Sequence, residues 1–137
     1  ILSKELLDIP KLGVINVHAS LLPKYRGASP IHYAILNGEK KTGVTIMKTD
    51  VGIDTGDMIL KRELEINDGE TCGELFDRLS VVGANCLIDA LPSIINGSAE
   101  FVKQDDNSAI YTKIIRKEDA LIDWKDTAEN IYNKIRF

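Results

Sequence analysis

Cysteine, aromatic side chains, long apolar runs and clustered positive charge are all scarce in this sequence, and each shortage excludes something. Phe, Tyr and Trp make up 6% of the 137 residues, and there are two cysteines and two histidines. So few cysteines exclude a disulfide-stapled scaffold. Cys72 and Cys86 form no CxxC pair, and on a single helix they would stand about 21 Å apart, too far for a disulfide. Unpaired thiols fit a reducing, cytoplasmic setting. No 18 consecutive residues are all apolar, so neither a membrane-spanning helix nor a membrane partner is expected. Ile1-Leu2-Ser3-Lys4 lacks the basic stretch and apolar core of a secretory signal. Positive charge is not concentrated either. Lys and Arg outnumber Asp and Glu seven to four in residues 1–50, are outnumbered twelve to four in residues 51–110, and stand six to five in residues 111–137. No block predicts nucleic-acid binding by charge alone, and the net charge of −4 reads as a solvated, mixed surface.

What remains has the size of one ordinary globular domain, with strands and helices alternating. Gly13 to Val17 is short, β-branched and nearly all apolar, and reads as a buried, parallel strand interrupted by the polar Asn16. A loop over Ser20 to Gly27 leads to Ser29-Pro30, an N-cap followed by proline at the first helical position, and Asn37-Gly38 stops that helix. Thr42 to Thr49 and Met58 to Ile66 read as strands, joined by a loop dense in Gly and Asp. Thr71 and Glu74 have capping-box spacing. Leu75, Leu79, Val82, Cys86, Leu87 and Ala90 then follow a helical period, with Pro92 and Gly97 near its end. Ser98 to about Lys117 is polar and without periodicity, and reads as a linker. Glu129 to Arg136 begins a further helix.

Few residues in this frame can carry chemistry. Asn16 and His18 are two apart at the end of a strand, so their side chains share one side. The carboxyl ends of strands are where open α/β sheets keep their sites. An amide donor beside an imidazole suits a developing oxyanion and a proton transfer near neutral pH. Position alone leaves open that both are satisfied by backbone groups. Asp54 lies in the Gly/Asp loop and has the chemistry to hold His18, although Asp50 and Asp57 compete for that role and any of the three could serve its own turn. A magnesium site would need a phosphate cradle, and no P-loop is present. His32 falls on the helix after Ser29-Pro30.

The run Asn16-Val17-His18-Ala19-Ser20-Leu21-Leu22-Pro23-Lys24-Tyr25-Arg26-Gly27 resembles the signature of the folate-dependent formyltransferases. Asp50-Val51-Gly52-Ile53-Asp54-Thr55-Gly56 resembles that family's second motif, with 36 positions from His18 to Asp54. The resemblance implies an α/β, Rossmann-like formyltransferase fold with a mostly parallel sheet, of which this chain carries the C-terminal half of the catalytic domain. It implies catalytic roles for Asn16, His18 and Asp54, with an oxyanion held between Asn16 and His18 and with Asp54 assisting proton transfer. It implies 10-formyltetrahydrofolate as formyl donor, contacted by Ser20, Leu21, Leu22 and Pro23 and by the backbone of Val51, Gly52 and Ile53, with no metal. It also implies a cis Leu22–Pro23 bond.

Members of this family formylate methionyl-tRNA, glycinamide ribonucleotide and sugar-nucleotide amines. Purine-pathway members carry Pro where Ala19 stands. Ala120-Leu121-Ile122-Asp123-Trp124 resembles the start of the C-terminal domain of members that act on initiator methionyl-tRNA, which is therefore the expected partner. Sugar-nucleotide enzymes share part of this extension, and Trp124 could equally be a hydrophobic anchor. A hydrolase passing the formyl group to water would use the same residues. The expected division is a partial catalytic domain over 1–97, a linker over 98–116 and the start of a C-terminal domain over 117–137, in a monomer. Because the signature lies so close to Ile1, the expected chain is a fragment lacking the first part of the catalytic domain, and inactive alone.

Overall fold

The computed structural model describes residues 2–137, and Ile1 lies outside the described residues. A short helix α1 (Lys4–Leu7) precedes β1 (Ile15–His18), β2 (Arg26–Gly27), α2 (Pro30–Leu36), β3 (Lys41–Lys48), β4 (Met58–Glu65), α3 (Cys72–Asn96), β5 (Tyr111–Thr112) and α4 (Ala128–Arg136). The longer strands form a sheet in the order β1-β3-β4, and β2 pairs with β5 in a second, two-stranded sheet.

The α/β class is as expected, but strand direction is not. β1 pairs antiparallel with β3, placing Asn16 opposite Met47 and His18 opposite Thr45. β3 pairs antiparallel with β4. Among the described residues the parallel pair is β2 with β5. The sheets are thus mixed, and the expected parallel direction of β1 is not found, because apolar content reports burial, not direction. β3 is buried from Thr42 to Met47 because it is the central strand and both its faces are covered. Residues 49–57 are also too few for the crossover that a parallel β3–β4 pair requires.

One face of the sheet is apolar. Val44 and Ile46 of β3 meet Leu75, Leu79 and Cys86 of α3, with Ile31 and Ile35 of α2 in the same cluster. The periodic side chains of α3 are thus its buried stripe. Gly83 lets the helix approach closely, since a Cβ there would stand 3.0 Å from Cγ1 of Val17. The capping box is present: Thr71 Oγ1 accepts from Glu74 N–H, and the Glu74 carboxylate accepts from Thr71 N–H. Gly97 closes the helix with a φ of 76°. By length and composition α3 would suffice to cross a membrane, yet here one side of it packs on the sheet. Cys72 and Cys86 both lie on α3, buried and unpaired.

The opposite face is built differently. A small cluster of Leu22, Met47 and Met58 is surrounded by polar, bonded groups. Ser29 precedes Pro30 as expected but makes no side-chain cap and adopts the left-handed conformation, φ 60° and ψ 38°. The segment expected to be an irregular linker is ordered. Val102 bridges Met58, Asp106–Ser108 forms a 3₁₀ turn, and β5 joins the sheet with β2. α4 packs on α2, with His32 and Phe137 in edge contact at 6.0 Å.

Candidate active site

The polar face gathers at the end of β1. Strand alternation puts Asn16 and His18 on the side away from Val17 and α3. Asn16 lines a cavity of about 1240 Å³, while His18 is 6% exposed and does not reach its wall. The imidazole is held at both nitrogens. Nε2 lies 2.9 Å from the carbonyl oxygen of Tyr25, and Nδ1 lies 3.6 Å from Oδ2 of Asp54. A carbonyl only accepts, so Nε2 carries a hydrogen. In the neutral ring Nδ1 then presents its lone pair toward the Asp54 carboxylate.

Tyr25 sets the Nε2 side of this arrangement, and its part was not apparent from the sequence. Its backbone is left-handed, with a φ of 62°, an uncommon state for a bulky residue. The conformation aims its carbonyl at His18. Its ring is pinned by the hydroxyl, which donates to Glu39 Oε1 at 2.6 Å and accepts from Asn37 Nδ2 at 3.1 Å. Burial, and then the bond to Glu39, push the phenol up to about 12, so it stays a donor across the working range.

Asp54 comes from the loop after β3. Its side chain lines the cavity, and its Oδ2 accepts from the Gly27 N–H at 2.8 Å. It too is left-handed, at φ 52°. Of its rivals, Asp50 lines the same cavity and Asp57 does not. Asp50 accepts from Gly52 N–H and Thr55 Oγ1 within its own loop, a folding role. The ion pair with His18 is made by Asp54, and none is formed with Asp57 among the described residues.

The seven residues expected at the formyl donor fall into two groups. Gly52 and Ile53 line the cavity beside Asp54, and Val51 is exposed on the adjoining rim. Ser20 and Leu22 are fully buried. Ser20 Oγ donates to the Lys24 carbonyl, Leu22 N–H donates to Thr45 Oγ1, and Lys61 Nζ donates to the Leu22 carbonyl. Leu21 and Pro23 keep some surface, and the Leu22–Pro23 bond is cis. A Cβ at Gly56 would collide with the Lys48 carbonyl, so this loop tolerates no side chain there.

The far wall of the cavity comes from the C-terminal segment, through Tyr111, Lys113 and Arg116. The segment is tied down by Arg26, which is 1% exposed. Its Nε donates to Gln104 Oε1 at 2.9 Å, Nη1 to the Tyr111 hydroxyl at 3.0 Å, and Nη2 to Asp106 Oδ1 at 2.8 Å. Burial alone would lower this guanidinium's pKa, but the bonds to Asp106 and Tyr111 outweigh it and the net shift is upward. Nothing in the polar, aperiodic 98–117 stretch signals this docking. A lone Arg beside Gly27 and a two-residue strand lie below any sequence pattern. Among the described residues, no three His, Cys, Asp or Glu side chains are grouped to hold a metal ion.

An amide and an imidazole at the end of β1 thus stand beside a carboxylate of the glycine-rich loop. The pattern of the family described as Formyl transferase matches residues 1–91, and that described as Formyl transferase, C-terminal domain, matches residues 114–136. The chain belongs to the formyl transferase family. It is 55% identical, over 99% of its length, to a methionyl-tRNA formyltransferase of Ruminiclostridium cellulolyticum, and it spans 44% of that relative. Two solved structures are also similar. One is an N-formyltransferase of Helicobacter canadensis in complex with folinic acid and dTDP-3-aminofucose. It has a TM-score of 0.81 and 33% identity, over 90% of this chain and 46% of that one. The other is PseJ from Anoxybacillus kamchatkensis in complex with UDP-4,6-dideoxy-4-formamido-L-AltNAc and tetrahydrofolate. It has a TM-score of 0.80 and 28% identity, over 99% of this chain and 71% of that one.

Proposed function

We propose that the whole enzyme to which this chain belongs transfers the formyl group of 10-formyltetrahydrofolate to the amino group of initiator methionyl-tRNA, and that Asn16, His18 and Asp54 carry the chemistry. The observation that carries this reading is the His18 ring held between the Tyr25 carbonyl and Asp54, with Asn16 opening onto the same cavity. The choice of acceptor rests on the 55% identity to a methionyl-tRNA formyltransferase.

The donor would supply a formyl carbon already activated for attack. Gly52 and Ile53 would hold it, with Val51 on the rim, since the loop offers backbone and little side-chain bulk beside Asp54. Leu21 and Pro23 would offer the donor further apolar surface, while the buried Ser20 and Leu22 would fix the shape of their loop from beneath. The Asn16 amide would donate to the oxygen that gains charge as the amine adds, a contact worth about 2.7–4 kcal/mol in comparable sites. Asp54 would take the amine's proton at the cavity wall, and His18 Nδ1 would share it. The same pair would return the proton to the departing nitrogen. Lys113 and Arg116 on the far wall suit a phosphorylated acceptor.

The same reading divides the chain into catalytic domain over 1–97, linker over 98–116 and the start of a C-terminal domain over 117–137, supported by the interval between the two family matches. It places the enzyme in the cytoplasm, where free, buried cysteines are at home. The second reading is a sugar-nucleotide amine as acceptor, favoured by the two solved neighbours and equally suited to Lys113 and Arg116. Formyl transfer by the full-length enzyme, measured side by side on methionyl-tRNA and on a UDP-amino sugar, separates them. The proposal expects turnover on the tRNA at least a hundredfold above that on the sugar nucleotide, a difference in activation free energy of about 2.7 kcal/mol. The reverse order would transfer the assignment to the sugar.

A further inference from the structure

We infer that Gln104 is a positioning residue for Asp54, and that the segment joining α3 to α4 thereby sets the geometry of the catalytic carboxylate. The inference rests on the reading of Asp54 as catalytic. The Gln104 side chain is half-buried and uses both ends of its amide. Nε2 donates to the carbonyl of Asp54 at 2.8 Å and to the carbonyl of Gly56 at 2.7 Å. Oε1 accepts from Nε of Arg26 at 2.9 Å. One amide thus bridges two carbonyls of the glycine-rich loop and the buried guanidinium.

This bridge falls where the loop needs it. Asp54 occupies the left-handed region at φ 52°, a state that persists in a non-glycine residue when its surroundings hold it. Gln104 holds the backbone oxygen of Asp54, and the Gly27 N–H holds its carboxylate. Both holds lead back to one residue, because Gly27 follows Arg26 in β2 and Gln104 is fixed by the Arg26 side chain. β2 is in turn zipped to β5 through Arg26 opposite Tyr111, with Thr112 Oγ1 donating to the Arg26 carbonyl. Docking of residues 104–112 and placement of Asp54 are therefore one structural event. A displacement of order 1 Å at a reacting group can cost about a hundredfold in rate, so losing the bridge should be felt at the chemical step.

The test is a double-mutant cycle in the full-length enzyme. Gln104→Met keeps the length of the side chain and removes all three bonds. Gln104→Asn keeps the amide one methylene short. The expected result for Gln104→Met is a kcat lowered about ten- to a hundredfold with KM for the formyl donor within about twofold. Gln104→Asn should fall between it and wild type. In an Asp54→Asn background, Gln104→Met should lower kcat by less than about twofold, because the group it positions is already gone. A merely structural glutamine would instead lower kcat by the same factor in both backgrounds. Either that result, or full kcat in both Gln104 variants while Asp54→Asn is impaired, overturns the inference alone. Full kcat in Asp54→Asn overturns the reading of Asp54 and the inference with it.

Discussion

The two faces of the β1-β3-β4 sheet are held by different physics. Beneath α3, Val44, Ile46, Leu75, Leu79 and Cys86 are joined by burial, which is non-directional and shared among many contacts. On the other face, directional hydrogen bonds tie His18 to the Tyr25 carbonyl, Asp54 to the Gly27 N–H and Arg26 to Asp106. The first face stores stability, and damage to it spreads and is partly absorbed. The second stores geometry, and one broken link displaces whatever lies beyond it. A substitution on the apolar face should therefore cost folding energy and spare the chemistry of the folded fraction, while one on the polar face should do the opposite.

Leu75→Ala tests the apolar side most strongly. Leu75 is fully buried, and truncating such a leucine costs about 2–5 kcal/mol. Urea unfolding of the full-length enzyme should show that loss, with kcat per folded molecule unchanged. A large fall in kcat at full stability would erase the contrast between the faces. A smaller effect is expected on the polar side from Tyr25→Phe. The folded-state pKa of the phenol is raised, to about 12 from its ordinary 10.0. The sign follows directly: Tyr25 contributes stability that is fully present below pH 10 and is lost as the pH rises toward 12. Tyr25→Phe should flatten that alkaline limb in thermal unfolding. An unchanged limb would mean that neither burial nor the bond to Glu39 raises the phenol in solution.

Much of the apolar face was legible in the sequence, and the reason is periodicity. α3 announces itself by a capping box and by side chains three and four apart, and β3 by alternation and β-branched residues. Strand direction was not legible, because the apolar content of Ile15–His18 says nothing about its partner's polarity. The polar face divides the same way. Asn16 and His18 were placed on one side by the two-residue period alone, and Asp54 came from the resemblance of its loop. Tyr25 and Gln104 escaped notice because their roles depend on a left-handed backbone and on a contact spanning 50 residues. Ser20 and Leu22 are fully buried, and Thr45 accepts from one backbone group of their loop and donates to another, a contact spanning more than 20 residues.

The central claim is that His18 and Asp54 act as one unit. The most direct test is the single-turnover rate of formyl transfer to methionyl-tRNA in full-length His18→Ala, Asp54→Asn and the double variant, all at saturating donor. Residues that share one function are strongly non-additive. The predicted result is a fall of about a hundredfold or more in each single variant, with the double variant no more than about threefold slower than the slower single. Losses that multiply in the double variant, or a single variant that keeps its full rate, would contradict the account.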